Sequence, residues 1–298
     1  MIKNTRTSKS PRLEEALTVF IGVLVLIAAG AGAFIPGFYD GVIDPRYATG
    51  NITADIVSLV CVPLLIMCML LARRGNVIAR LSWTSLIAYI GYAYATYAFD
   101  RLYTVLFLVY VAIFSMSSFV ITSLLAGLDA HRLADRTRDM PLRRVTAVFL
   151  MFTGLILYVI ELPTILSRIP GGIEAGGTPF MVLDMALIAP ISILTGVWLW
   201  RRHPWGAALT PIFLIKAITL MSSFLIADYI DWFAGRLKTQ GATIAFTIVY
   251  LFVYFFAWNY FAAFGKKQNS PNSERANGAL SLDNPPLSVT INTDRSLN

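Results

Sequence analysis

Apolar residues along this chain come in long blocks separated by short polar connections. Blocks of helix length recur at about 16–36, 54–72, 82–99, 103–126, 145–166, 180–200, 207–227 and 242–264. A membrane span needs about 20 mostly apolar residues, so each block is predicted to cross a bilayer. Lipid offers the backbone no hydrogen-bond partners, which leaves helices or a closed barrel as spanning forms. A barrel would need short segments of alternating character, and runs such as "ALTVFIGVLVLIAAGAGAF" in the first block do not alternate. The predicted fold is all-α: a polytopic integral membrane bundle of about eight helices over 16–264. A short tail, 1–15, precedes it. The tail at 265–298 is rich in Asn, Ser and Pro and is expected to be disordered. The run "IAAGAGA" resembles a signal-peptide end, but the first apolar block is long for such a segment, and it is expected to be retained. Within that run, Ala28 with Gly32 and Ala29 with Ala33 predict close helix packing.

The polar connections carry an asymmetry. Lys and Arg gather in the N-terminal tail (Lys3, Arg6, Lys9, Arg12), after span 2 (Arg73, Arg74, Arg80) and after span 4 (Arg132, Arg136, Arg138, Arg143, Arg144). They recur after span 6 (Arg201, Arg202) and in the C-terminal tail (Lys266, Lys267, Arg275, Arg295). The opposite connections hold only Arg46, Arg101, Arg168, Arg236 and Lys238. Cytoplasmic loops carry the excess of basic residues, so both termini are expected to be cytoplasmic in a plasma or inner membrane. The connection after span 4 has alternating charges and reads as an interfacial helix beside acidic lipids.

Two stretches echo one another. "TADIVSLVCVPLLIMCMLLARRG" begins at Thr53, and "VLDMALIAPISILTGVWLWRRHPWG" begins at Val182. Each has an aspartate near its outer end (Asp55, Asp184), a mid-span proline (Pro63, Pro190) and a closing arginine pair. The preceding spans open on "LTVF" and "TAVF" and carry Pro36 and Pro163 near their outer ends. This order predicts two parallel four-helix repeats, 16–126 and 145–264, although membrane helices share much of this pattern by composition. A mid-span proline frees a carbonyl one turn earlier, so kinks at Pro63 and Pro190 are expected to flank a central site.

Composition agrees with a lipid solvent. The chain has 298 residues, 57% hydrophobic and 14% charged, against about 25% charged in a soluble domain. Its net charge of +7 is explained by membrane orientation, and no nucleic-acid partner is expected. The bilayer is the expected partner, with a small solute or a lipid as ligand. Cys61 and Cys68 are read as packing residues, with no metal or disulfide pattern.

Few ionisable residues fall inside the predicted spans. Lys216 is the deepest. A charged side chain at mid-bilayer costs about 2.5–3.5 kcal/mol on insertion scales, so an inward, polar setting is expected. Thr219 and Ser223 extend its helical face at i+3 and i+7. Glu161 and Asp184, near the outer ends of spans 5 and 6, are its candidate partners. Together they predict an outward-opening polar cavity in the second half, or else a buried ionic network that holds three helices together. In the first half Tyr89 takes the place of Lys216 and only Asp55 remains as an acid, so that half is expected to be degenerate. Tyr89 and Tyr92 could line a cavity, and Tyr97 and Tyr103 read as an interfacial belt.

Much is missing. Both histidines, His131 and His203, lie in connections, which excludes paired haem ligation within the bundle. No zinc, phosphate-loop or nucleophile motif occurs, and no cofactor is expected. A retinal pigment also uses a deep lysine, but the place one turn before Lys216 is Ile212, not a carboxylate. The expected function is a secondary transporter or permease for a small solute. The alternatives are a membrane-embedded enzyme on lipid-like substrates, or a non-catalytic sensor or complex subunit.

Overall fold

The computed structural model describes residues 11–138, 140–169, 178–236 and 240–268. Most of the two predicted tails, 1–10 and 269–298, lies outside the described residues, as does Lys238. Every regular element among the described residues is a helix. In order they are α1 (Pro11–Phe34), α2 (Pro45–Arg73), α3 (Val77–Phe99), α4 (Phe107–Ala126), α5 (Ala130–Thr137) and α6 (Arg143–Arg168). Next come α7 (Thr178–Leu183), a π turn (Asp184–Ile188), α8 (Ala189–Trp200), α9 (Pro204–Phe233) and α10 (Gly241–Gln268). α7, the π turn and α8 follow without a break and form one rod, the sixth predicted span.

Local chemistry sets the helix starts. Asp44 accepts from the Arg46 backbone N–H at 2.9 Å, and Pro45 occupies the first helical position. That proline needs no partner for a missing N–H, so α2 begins nine residues before the predicted span start at 54. Asn76 caps α3 through the Ala79 N–H at 3.1 Å, and Asp129 caps α5 through the Arg132 N–H at 3.1 Å. Pro204 opens α9, and α10 continues to Gln268, past the predicted boundary at 264.

The first four long helices close into a ring: α1 meets α2, α2 meets α3, α3 meets α4, and α4 returns to α1. In the second half α6 packs on α8, α8 on α9 and α9 on α10. Phe149 of α6 meets Phe256 of α10 with ring centroids 4.6 Å apart. The halves join where α9 packs against α3 and α2, and where α7 touches α3. Contacts at the starts of α1, α3, α6 and α9 and the ends of α2, α4, α8 and α10 define one end of the bundle. It holds most of the described basic residues and is called the basic end below.

Seven of the eight long rods are apolar enough to cross a membrane by length and composition. The eighth is α3, whose Tyr, Ser and Thr lower its hydropathy. Its environment explains this: no residue from Val77 to Ala98 is exposed. A helix surrounded by helices never meets acyl chains, so its polar atoms are answered by neighbours. The other rods carry the lipid-facing load, as the exposed Phe119, Leu155, Leu251 and Trp258 show.

Close approach uses small residues where predicted, and elsewhere too. Ala28 and Ala29 are buried against the first-half core. At the α6–α8 crossing, a Cβ on Gly154 would lie 2.6 Å from the Ala189 carbonyl oxygen. One on Gly196 would lie 2.6 Å from that of Ala147. Each glycine therefore seats on the other helix's backbone. Ser192 Oγ adds a bond to the Leu150 carbonyl at 2.7 Å. Such small-residue contacts are the usual drive for association where lipid removes the hydrophobic effect.

Candidate functional site

Pro190 is where the site begins. It has no N–H to bond the carbonyl four residues back. The ladder slips by one residue, and the Ala189 N–H reaches the Asp184 carbonyl instead. The result is the π turn, a feature often found at functional sites. Tyr158 of α6 braces it, donating its hydroxyl to the Met185 carbonyl at 2.8 Å. Asp184 opens the turn and is buried. Pro63, by contrast, sits inside an unbroken α2. Both proline rings lie on the exposed surface of the bundle. Of the two prolines expected to kink their spans, Pro190 is the one whose ladder slips into a π turn, and that turn, not its ring, presents the polar group.

Three helices, α3, α6 and α9, converge on that turn. The Tyr92 hydroxyl, from α3, donates to Asp184 Oδ1 at 2.7 Å. Lys216, from α9, places its Nζ 3.7 Å from the centroid of the Tyr92 ring. The Asp184 charge acts on that ammonium. Glu161, from α6, sets its carboxyl beside that of Asp184. Its Oε2 is buried and has no hydrogen-bond partner among the described residues. An ammonium over an aromatic face gains about 2 kcal/mol or more when desolvated, comparable with the insertion cost of a mid-membrane lysine. One cation therefore faces two acids in a setting shielded from water.

Depth agrees with this meeting. Lys216 lies roughly 18 Å along α9 from its start at the basic end, at 1.5 Å per residue. Tyr92 and Asp184 lie roughly 22–24 Å from that end of their own helices on the same rise, a difference the lysine stem spans. The predicted opening is not present. Lys216 is 5%, Glu161 6% and Asp184 9% exposed, so the centre is closed on all sides in this conformation.

The remaining predicted residues fall elsewhere. Thr219 turns its hydroxyl to the Lys216 carbonyl at 2.9 Å, and Ser223 donates to the Leu220 carbonyl at 2.7 Å. Both satisfy their own helix, so they do not extend the site as predicted. The Ser223 carbonyl accepts from Thr53 of α2 at 3.0 Å, tying the two halves. Tyr89 donates to the Ala54 carbonyl at 3.3 Å, on that same seam.

Asp55 belongs to a second polar centre that the sequence reading missed. Tyr39, in the connection after α1, donates its hydroxyl to Asp55 Oδ2. The Tyr97 hydroxyl reaches Asp55 Oδ1 at 3.3 Å and the Asn51 carbonyl at 3.1 Å. Burial and the Asp55 charge both raise the Tyr39 phenol, so it stays a donor. Tyr94, Tyr97 and Tyr110 pack ring against ring at 5.4–5.8 Å. Tyr97 is therefore not part of an interfacial belt; Tyr103, 68% exposed, fits that role. Gly32 makes room, since a Cβ there would overlap the Asp55 carboxyl and the Tyr39 hydroxyl. The available signal was the tyrosine density of α3 opposite a lone intramembrane acid.

Cys61 and Cys68 are free thiols packed in α2. Among the described residues no three His, Cys, Asp or Glu side chains come together as a metal site would require. At the end opposite the basic one, Asp44 pairs with Arg46 at 2.6 Å and Asp231 with Arg236 at 2.5 Å. Compared with known proteins, the chain matches no family model, no curated protein and no solved structure.

Proposed function

We propose that this chain is a secondary transporter or permease for a small solute, with its binding centre at Lys216, Tyr92, Asp184 and Glu161. The observation that carries the reading is a charge imbalance in a sealed place. One ammonium is set against two carboxyls, and a buried Glu161 oxygen lacks a donor. A proton or a small cation on the carboxyls would balance the centre, and a solute anion would compete for the ammonium. Binding one would then change the affinity for the other, which is the thermodynamic requirement for coupled transport. Intramembrane ionisable groups commonly mark such pathways.

The π turn supports the reading. It sits in mid-rod and is braced by one tyrosine, a natural place for α7 to move relative to α8. The two-repeat organisation, 16–126 and 145–264, supports it as well. α3 and α9 occupy the same ordinal place in the two halves and pack against each other, as helices about a shared axis along the membrane normal would. In this reading both termini face the cytoplasm of a plasma or inner membrane. The closed centre is then an occluded state of an alternating-access cycle.

Proteoliposomes adsorbed on a solid-supported electrode test this without a known substrate. A pH jump should give a transient charge displacement. A panel of amino acids, carboxylates and phosphorylated metabolites should contain a solute that changes it. Lys216→Met should abolish the solute response, and Glu161→Gln should shift or remove the pH response. Normal responses from a well-folded Lys216→Met protein would defeat the proposal. The network would then be only a tie between helices.

A further inference from the structure

The basic end holds a feature that is independent of the transport centre. α5 lies across this end against α9 and α10, with Leu133 and Ala130 buried beside Ala207 and Tyr260. Between the end of α5 and the starts of α6 and α9 opens a cavity of about 250 Å³. Arg138, Arg143, Arg202, His203, Thr137 and Asp135 are among its lining residues. Three guanidiniums, two from the α5–α6 connection and one from the α8–α9 connection, thus share one cavity with a single carboxylate among the described residues.

Three observations say that this arrangement is specific. Arg143 is anchored, donating Nη1 to the Leu199 carbonyl at 3.0 Å, which aims the rest of its fork. Its neighbours by charge are Arg202 and Arg144, like charges that the fold holds together. Arg144 is drawn aside over the Trp200 ring, 5.6 Å from its centroid. The backbone beneath Arg202 is also unusual. The His203 N–H bonds the Trp198 carbonyl at 2.8 Å, closing a C-terminal helix motif whose left-handed residue is ordinarily glycine. Here that residue is Arg202, at φ 59°. Leu142, immediately before Arg143, is likewise left-handed at φ 59°. An arginine in the seat of a glycine is strained; Arg101, at φ 56° after α3, shares this backbone away from the cavity.

We infer that this cavity binds a phosphate group, supplied either as free phosphate or by an anionic lipid headgroup. The chemistry fits the donors: planar guanidinium forks pair with phosphate oxygens two at a time. Basic pockets among helices at the cytoplasmic membrane face hold phosphate-bearing headgroups by the same means. The volume admits a headgroup phosphate and its glycerol carbons. The amphipathic α5 forms one wall, with its apolar face on the bundle and its charged face outward.

The test uses the full chain in a nonionic detergent, followed by its thermal unfolding midpoint. The probes are sodium phosphate against sodium chloride at equal ionic strength, and short-chain phosphatidic acid against phosphatidylcholine. A saturable rise in midpoint with a phosphate probe is expected. If sodium phosphate alone gives it, the ligand is free phosphate; if only phosphatidic acid does, the ligand is a headgroup. Arg202→Gly removes one fork while giving the left-handed position its preferred residue. The ligand-free midpoint should therefore hold or rise, while the half-saturating concentration should increase by about tenfold or more, as loss of a charge-assisted contact implies. Arg143→Gln should weaken binding similarly, and Arg132→Gln, on the exposed rim of α5, should not. No phosphate-specific rise, or equal binding by wild type, Arg202→Gly and Arg143→Gln, overturns the inference. Neither result depends on the transport reading, because no member of the Lys216 centre is altered.

Discussion

Asp55 and Asp184 occupy matching places in the two halves, yet their surroundings solve the burial problem differently. Asp55 is met by tyrosine hydroxyls alone, from Tyr39 and Tyr97, under a lid of packed rings. Asp184 receives one hydroxyl, from Tyr92, and shares its space with an ammonium and a second carboxyl. In the first centre both Asp55 oxygens have a hydroxyl donor, and the group without a partner among the described residues is the Tyr94 hydroxyl within the rings. In the second, the buried Glu161 Oε2 has no partner among the described residues, and the cation's company is an aromatic face. The same residue at the same depth is thus a fastening in one half and a reactive charge centre in the other. The partner side chains, not the acid, set that difference. The first half is less empty than its sequence implies: it holds no intramembrane lysine, but it holds a tyrosine network.

Breaking each acid should separate the two roles, and the largest effects are expected there. Asp184→Ala strands a buried ammonium, which typically costs about 3–5 kcal/mol. Asp55→Ala leaves the Tyr39 hydroxyl without its acceptor, at about 1–3 kcal/mol when buried, while the Tyr97 hydroxyl keeps the Asn51 carbonyl. Reversible unfolding in mixed micelles should rank them in that order, and the reverse order would mean that the Asp184 centre is already uncharged. Lys216→Met leaves Asp184 and Glu161 without their cation, so its midpoint should also fall, because removing one partner of a buried pair leaves an uncompensated charge, and solute-dependent charge movement should be lost.

Next in size is Gly32→Ala. The added methyl would overlap the Asp55–Tyr39 contact, and overpacking of this kind costs about 1–3 kcal/mol. A midpoint unchanged from wild type would show that Tyr39 can leave without penalty. Smaller still are the single hydroxyls. Tyr97→Phe and Tyr92→Phe should each cost about 0.6–1.7 kcal/mol, the range for hydrogen bonds between membrane helices. Tyr92→Phe retains the ring under Lys216, so only Tyr92→Leu should add the loss of the ammonium contact. Equal costs for the two substitutions would remove the aromatic face from the account.

The smallest effect belongs to an aspartate outside the membrane. Asp44 is exposed, and the Arg46 guanidinium beside it holds its carboxyl down to about 2. A carboxyl depressed in the folded state contributes above its unfolded value and loses that contribution as pH falls through the folded one. Asp44→Asn should therefore be nearly silent at neutral pH. Any difference from wild type should vanish between about pH 4 and pH 2, the window between ordinary and depressed carboxyls. A large neutral-pH loss would show that the cap at Pro45 matters more than its exposure suggests.

How much of this was readable in the chain varies with distance along it. The helical rods, their number and the gathering of arginines at one end follow from local composition. Lipid-facing surface must be apolar, and backbone in lipid must bond to itself. The interfacial α5 was readable for the same reason. Lys216, Glu161 and Asp184 stood out because charge is rare in such rods, and the structure does bring them together. Thr219 and Ser223 misled because a hydroxyl on a helix can bond its own helix's carbonyl instead of extending the site. Pro63 and Pro190 looked equivalent in sequence, but only one displaced its ladder into a π turn.

What the chain alone determined is a lipid-solvated bundle with a basic end and a few charges that had to face inward. Only the tertiary structure decided which rod lies at the centre, and that rod is α3, the least apolar of all. Its tyrosines are distributed between two aspartates, Tyr97 to Asp55 and Tyr92 to Asp184. No periodicity specifies that division, because it depends on which neighbours surround a helix buried on every side. The apolar pattern reports contact with lipid, and a helix that never touches lipid leaves no such pattern to read.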